Sequence, residues 1–500
     1  MNYDSVPREV INLITAAIIC IKINNFYMIE TEEKMRIHEV MYYVKTYFVL
    51  GVIGLFILGF TGVFGYFVVY KKILGGKRRI SKKQLIIGCL FTIYMIMVLG
   101  VTFLSRGSHF KGSVNLNFLS SYKEAWYSFS FRDWQYIILN IFMFVPFGFL
   151  LPLLNKRFQK LRYTFIATLL FTLLIESFQY ISGKGIFELD DIFNNTLGGI
   201  IGYGIIMVII SLVQPMNNKG LKIIGYLSPL LVTASCFVGM FVYYENKEFG
   251  NLAINYVQKI DLKNTSVNLD MTLSDKKSIA PIYKAPTYTK DEAKEYVKDL
   301  FQRMDIEAED IEIDAYSDNA LYWRRGEPTY SVWFYNISGR YRFSDFSSFG
   351  DDVEPEDTDE ATLLDILNGY EIYIPSEAEF IEGNTGNYSF KVDKYMDGDT
   401  LIDGELECEF YSDNTIKHIS NNLIEYEKVK DVTIKSEQEA YKELQDGKFH
   451  YYNGENIGDI LINNLSLDYE MDTKGYLQPV YLFQAKVDGN EVVIKIPAMD

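Results

Sequence analysis

Long apolar runs separated by short basic loops fill the first half of the chain. From about residue 244 onward the pattern changes to polar, acidic, tyrosine-rich sequence in which apolar positions alternate. A run of roughly 20 apolar residues makes a helix long enough to cross about 30 Å of hydrocarbon. Such runs predict spans at 46–70, 85–104, 136–154, 163–181, 196–213 and 223–243. The shorter run at 10–21 is closed by Lys22 and predicts a peripheral helix in the interface. It lacks the basic leader and small-residue cleavage site of a signal peptide. The expected fold is an all-α polytopic membrane bundle of about six helices followed by an α+β domain. The expected boundaries are a peripheral segment (1–45), a transmembrane domain (46–243), a linker (244–286) and the α+β domain (287–500).

The loops orient the spans. Residues 71–83 (KKILGGKRRISKK) carry seven basic residues and no acid, and residues 155–162 (NKRFQKLR) carry four and no acid. The 214–222 connection carries Lys219 and Lys222. All three are cytoplasmic by the positive-inside rule, which puts 105–135, 182–195 and everything after the sixth span outside.

In the polar half, Thr289-x-x-Glu292 and Ser436-x-x-Glu439 are capping boxes, in which hydroxyl and carboxylate satisfy the first free amides of a helix. Each precedes alternating aromatic and polar residues of strand type, around Glu327-Pro-Thr-Tyr330 and Gln478-Pro-Val-Tyr481. Thr289 and Ser436 are 147 residues apart, Pro328 and Pro479 are 151. The near-equal offsets suggest two related units of a helix on an antiparallel sheet, 287–430 and 431–500.

The net charge of −17 is concentrated in this half, which argues against nucleic acid as a partner. Only Cys408 of the four cysteines lies deep in it, so a disulfide framework there is excluded. The four histidines form no HExxH, and no GxSxG, Walker A or Rossmann motif occurs. The run from Asp351 (DDVEPEDTDE) lacks EF-hand spacing and reads as a solvated loop, and no metal or cofactor is assigned.

Candidate chemistry sits instead among the apolar runs. Glu176 and Gln179 lie three apart inside one of them, where a central carboxylate costs about 2.5–3.5 kcal/mol on insertion scales and turns toward a bundle interior or a partner. With the topology above, Asn140, Glu176, Gln179, Asp190, Asp191 and Asn195 fall near one depth, at the outer leaflet boundary, with Arg106 and Lys184 supplying positive charge nearby. Plain structural roles stand beside this reading. Asp190 and Asp191 suit helix capping, Asn140 and Gln179 suit interhelical bonding, Gly198, Gly199 and Gly202 suit close packing, and Pro146 and Pro152 suit a kink.

These residues occur in ordered motifs: Asn115-Leu-Asn-Phe118, Asn140-(x)3-Phe144-Val-Pro146-Phe147-Gly148, Glu176-(x)2-Gln179 and Glu188-Leu-Asp190-Asp191-(x)3-Asn195-Thr196-Leu-Gly198-Gly199. Over about residues 85–213 the chain resembles the VanZ-like family of bacterial membrane proteins. The resemblance implies a small helical membrane protein whose founding member is associated with resistance to the glycopeptide teicoplanin. Lys184 stands where members often carry Arg, and Glu188 where they often carry Asp. A bidentate phosphate contact would be weaker with Lys. The helix-and-strand pattern beyond the bundle is distantly similar to PepSY-like or YycI-like extracytoplasmic modules.

Three functions remain open from sequence: binding, shielding or acting on a cell-wall precursor or envelope lipid at the outer leaflet; a membrane-anchored sensor whose outer domain meets a wall component or protein partner; and a lipid-processing enzyme using Glu176 or Asp191 as acid or base.

Overall fold

In a computed structural model the chain is described over residues 45–49, 51–54, 72–73, 81–103, 113–214, 218–316, 318–349, 353–451 and 457–499. Among the described residues five helices are long and apolar enough to cross a membrane. They are α1 (Lys82–Phe103), α3 (Phe131–Leu154), α4 (Leu161–Ser182), α5 (Leu189–Val213) and α6 (Lys219–Asn246), with the short α2 (Ser120–Ser128) preceding α3. They coincide with the second to sixth expected spans. The first lies largely outside the described residues, as do the 10–21 run and Arg106.

The helices run past the apolar segments where their ends tolerate charge. α5 begins at Leu189 and not near Thr196, so Asp190 and Asp191 occupy its first turn, where carboxylates oppose the positive end of the dipole. Ser81 and Gln84 form a reciprocal cap at the start of α1, each side chain bonding the other's backbone N–H at 3.2 Å.

α5 is the central helix: 56% of its apolar window is buried, against none of α6's. Its glycines explain how. A Cβ at Gly198 would stand 1.9 Å from the Ile141 carbonyl oxygen, and one at Gly202 1.9 Å from that of Val145. On the facing helix α3, a Cβ at Gly148 would meet the Gly199 oxygen at 1.8 Å. The two backbones touch, as small residues allow between membrane helices. Pro146 and Pro152 lie within α3, which continues as helix through both.

The described chain divides into two compact units, Tyr283–Val429 and a second made of the residues up to Ile282 together with those from Lys430. In the first, α7 (Lys290–Arg303) and α8 (Glu360–Gly369) pack on an antiparallel sheet that includes β5 (Ile311–Ala315), β6 (Asn319–Arg324), β7 (Tyr330–Tyr335), β8 (Tyr341–Asp345), β9 (Glu379–Glu382), β10 (Asn387–Asp397), β11 (Thr400–Phe410), β12 (Ile416–Asn421) and the first part of β13 (Ile424–Ile434). Val297, Leu300, Phe301, Leu363 and Leu367 fill the layer against Phe334, Phe390, Leu406 and Ile419. The Thr289–Glu292 capping box opens α7, and Asp359 caps α8 through a 2.9 Å bond from Thr362 N–H.

In the second unit, β14 (Asp459–Met471), β15 (Tyr476–Val487) and β16 (Asn490–Pro497) form an antiparallel meander, with β3 (Ser266–Leu269) parallel to β14. Thus the stretch read as linker carries β3 and β4 (Ser278–Lys284). α9 (Glu437–Gln445), opened by the Ser436–Glu439 capping box, covers the sheet through Ala440 and Leu444. The two proline segments differ in place: Pro479 is inside β15, whereas Pro328 lies in the turn ahead of β7. A proline cannot donate to a ladder, so similar sequence meets different backbone demands at the two positions.

Candidate functional site

The N-termini of α3 and α5 and the C-termini of α1, α4 and α6 share one end of the bundle, joined there by a pair of two-residue parallel strands, β1 (Val114–Asn115) and β2 (Phe187–Glu188). Most of the sequence-expected polar residues are found at this end. Glu176 is six residues from the end of α4 and Asn195 six from the start of α5, each roughly 9 Å in at 1.5 Å per residue. Asn140 is deeper by that measure, nine residues into α3, because the helix starts at Phe131 and not Tyr136.

Each contact ties a different pair of elements. Asn140 Nδ2 donates to Asp191 Oδ1 at 2.6 Å, joining α3 to α5. Asn195 Nδ2 donates to Thr172 Oγ1 at 2.9 Å, joining α5 to α4. Gln179 Nε2 donates to the Thr102 carbonyl at 3.4 Å, and Lys184 Nζ to that of Phe103 at 2.8 Å, fastening α4 and the following turn to α1. Glu176 Oε2 accepts from the Glu188 N–H at 3.3 Å. Gly183, at φ 67°, supplies the left-handed residue that ends α4 and lets the chain turn toward β2.

Asp190 does something the sequence does not suggest. Its carboxylate caps α2, a helix some 70 residues earlier: Leu119 N–H reaches Oδ1 at 2.6 Å, while Ser121 N–H and Oγ–H reach Oδ2 at 2.9 and 2.6 Å. The next turn repeats the tie, with Tyr122 O–H donating to Asn194 Oδ1 at 2.6 Å. Glu176, Gln179, Asp190 and Asn195 are each 2% exposed, whereas Asn140, Lys184 and Asp191 are half-buried.

At this end the buried oxygens Gln179 Oε1, Asn195 Oδ1 and Thr196 Oγ1 have no hydrogen-bond partner among the described residues. The orientation of Gln179 is fixed because a carbonyl faces its other terminal atom, which must therefore be the donating nitrogen.

Glu188 belongs to a motif but does not stand out in the sequence, and the structure raises its carboxyl well above the ordinary range. Burial pushes its carboxyl up to about 7, with Asp191, Asp190 and Glu124 pushing the same way and a bond from Asn115 opposing. Asn115 stands opposite it in the β1–β2 pair. The only sequence signal was the co-occurrence of the Asn115 and Glu188 motifs, and a two-residue parallel pairing has no local signature. Glu124 on α2 is also raised, by burial first and then by Asp133 and Asp190. This end is thus rich in carboxylates, one of which takes up protons near neutral pH. Among the described residues no group of three or more His, Cys, Asp or Glu is placed to hold a metal ion.

A concavity of about 500 Å³ lies on the open sheet face of the Tyr283–Val429 unit, lined by Arg342, Asn387, Glu407, Glu409 and His418 among others. Ser348 Oγ is 3.0 Å from His418 Nε2, but Glu409 approaches that same nitrogen, at 4.0 Å. A hydrolytic relay needs the carboxylate on the other ring nitrogen, so this is a polar cluster and not a catalytic triad.

Residues 91–211 match the family model described as VanZ/LLP1. No curated protein matches the chain. Among solved structures, the Bacillus megaterium YpeB C-terminal domain aligns at 10% identity over 43% of this chain and 95% of that chain, with a TM-score of 0.19, a value on which no structural argument rests. The polar end of the bundle, from Asn115 to Asn195, therefore lies within a VanZ-like segment of a membrane protein.

Proposed function

We propose that the chain is a multi-pass cell-envelope protein whose VanZ-like bundle binds or acts on an envelope component, a cell-wall precursor or lipid, at the outer leaflet, and so contributes to glycopeptide resistance of the teicoplanin type. The observation that carries this reading is the gathering of buried carboxylates and amides from α4 and α5, with the half-buried Asn140 of α3, at one end of the bundle, inside the matched segment. Membrane helices that needed only to pack would place apolar or small residues there, since a buried polar group is unfavourable without a purpose or a partner. Lys82 and Lys83 at the start of α1, and Lys156, Arg157, Lys160 and Arg162 between and at the facing ends of α3 and α4, lie at the opposite end, which supports an outer location for the polar end and for residues 245–500. The proton-accepting Glu188 and the carboxylates around it favour a ligand bearing hydrogen-bond donors. A phosphate would need Arg106, Lys184 or a bridging cation to offset them.

The test is teicoplanin susceptibility in cells expressing the wild type, Glu176→Gln or Asp191→Asn at matched membrane levels. Both substitutions should abolish any protection that the wild type confers, and retention of it by both would remove the polar end from the function. Protease added to intact protoplasts should cleave 245–500 and spare the bundle, and protection of that region would reverse the orientation. The second reading, a membrane-anchored sensor or interaction protein, is favoured by the contact of the β14–β15 turn with the end of α6.

A further inference from the structure

The turn of the β14–β15 hairpin is seated on the C-terminal end of α6. Asp472, 4% exposed, accepts from Gly250 N–H at 2.6 Å, Gln478 Nε2 at 2.6 Å, Lys474 N–H at 2.8 Å and Tyr476 N–H at 3.0 Å. Lys474 Nζ donates to the carbonyls of Tyr244 (2.8 Å), Glu245 (3.3 Å) and Lys247, and lies 4.8 Å above the Tyr244 ring. A cation there bonds the carbonyls of the last turn and faces the negative end of the dipole. Thr473 Oγ1 accepts from Tyr244 O–H and from Asn251 N–H, both at 2.8 Å. Asn251 then reaches across with its side chain, donating Nδ2 to the carbonyl of Trp126 on α2.

α2 is therefore held at both ends: Asp190 grips its first amides and Asn251 its last turn, with the Tyr122–Asn194 bond between. It is nine residues long, too short to bend appreciably, and both residues that bound it, Leu119 and Phe129, are in the left-handed region at φ 63° and 42°. These are sharp corners that a non-glycine residue adopts only when its surroundings hold it there. A short rigid helix between two such corners moves as one piece.

We propose that α2 is a coupling lever: a change in how Asp190 is held at the polar end of the bundle alters the seating of the 472–475 turn on α6, and reseating that turn alters the grip on α2. This goes beyond the ligand reading above and does not depend on which ligand the polar end takes. Linkage requires the effect to run both ways.

Hydrogen exchange of the full-length protein in lipid nanodiscs, read by mass spectrometry, tests it. Asn251→Ala should speed exchange at Leu119 and Ser121, and Asp190→Asn should speed it at Gly250, Lys474 and Tyr476, each by about fivefold or more, the low end of measured site-to-site couplings. Should Asp190→Asn damage folding, Ser121→Ala, which removes one of its 2.6 Å contacts, gives the same readout in milder form. Lys430→Ala, which removes an exposed ion pair to Glu248 near the same helix end, should leave Leu119 and Ser121 unchanged. Changes confined to the mutated end in both directions would overturn the proposal. So would an equal response to Lys430→Ala, which would signify general loosening. Failure here with loss of protection in Glu176→Gln would leave the ligand reading standing.

Discussion

Asp190 in the bundle and Lys417 in the Tyr283–Val429 unit are almost equally buried, at 2% and 5% exposure, yet they are accommodated differently. Asp190 is met by backbone amides and serine hydroxyls, neutral donors brought by a distant helix. Lys417 is met by opposite charge, Asp413 at 2.6 Å and Asp345 at 3.3 Å. The difference teaches what each region uses a buried charge for. In the bundle it fastens one element to another through neutral donors. In the β-rich unit the charges compensate within one cluster, and the result is a closed structural knot.

Breaking that knot should give the largest effect. Lys417→Met leaves the buried Asp345 carboxylate without its counter-charge, beside the exposed Asp413, and should destabilise the unit by about 3 kcal/mol, the low end of the range for removing one partner of a buried pair. Adding Asp345→Asn should recover part of the loss. Denaturant unfolding of the full chain in detergent would show it, and an unchanged first transition would mean that the cluster is solvated. Asp190→Asn is milder because the donors it abandons are neutral. A loss of about 2 kcal/mol is expected, the scale of hydrogen bonds to a charged acceptor, with early proteolysis around 117–121.

The pH dependence sharpens the contrast. Glu188 is held at about 7 against an ordinary 4.5, first by burial and then by Asp191. A carboxyl raised on folding contributes stability that is complete below pH about 4.5 and is lost as pH rises through about 7. Discounted for partial exposure and for coupled titration with Asp191, the wild type should lose about 1–2 kcal/mol between pH 5 and 8. Glu188→Gln should be flat over that window when thermal unfolding is followed at both pH values, and an equal slope in the variant would assign the dependence elsewhere. The smallest expected effects are those of Thr289→Ala and Ser436→Ala, about 1 kcal/mol each by calorimetry. A cap is a local device, and the two should respond alike in the two units.

What was legible in the sequence follows the same division. The apolar runs locate α1 and α3–α6 because a membrane helix is specified by its own composition, and both capping boxes are where three-residue patterns put them. Asn140, Glu176, Gln179, Asp191 and Asn195 could be singled out because a polar residue in an apolar run is conspicuous. Glu188 was not, since a carboxylate in a polar loop is ordinary until burial and its neighbours raise it. Asp472 and Lys474 were likewise invisible, for a charged turn between strands reads as solvated until a helix end is found beneath it.

By itself the sequence determined which segments are apolar helices, where two later helices begin, and that a band of polar residues interrupts the bundle. Tertiary structure alone decided that Asp190 caps α2 and not its own helix, that glycines of α5 lie against the α3 backbone, and that the 472–475 turn closes the end of α6. The reason is range. Helix propensity, capping and hydrophobic length are set by residues within one or two turns, whereas a hydrogen bond between residues 69 or 230 apart exists only once the packing of everything between has brought donor and acceptor to within 3 Å.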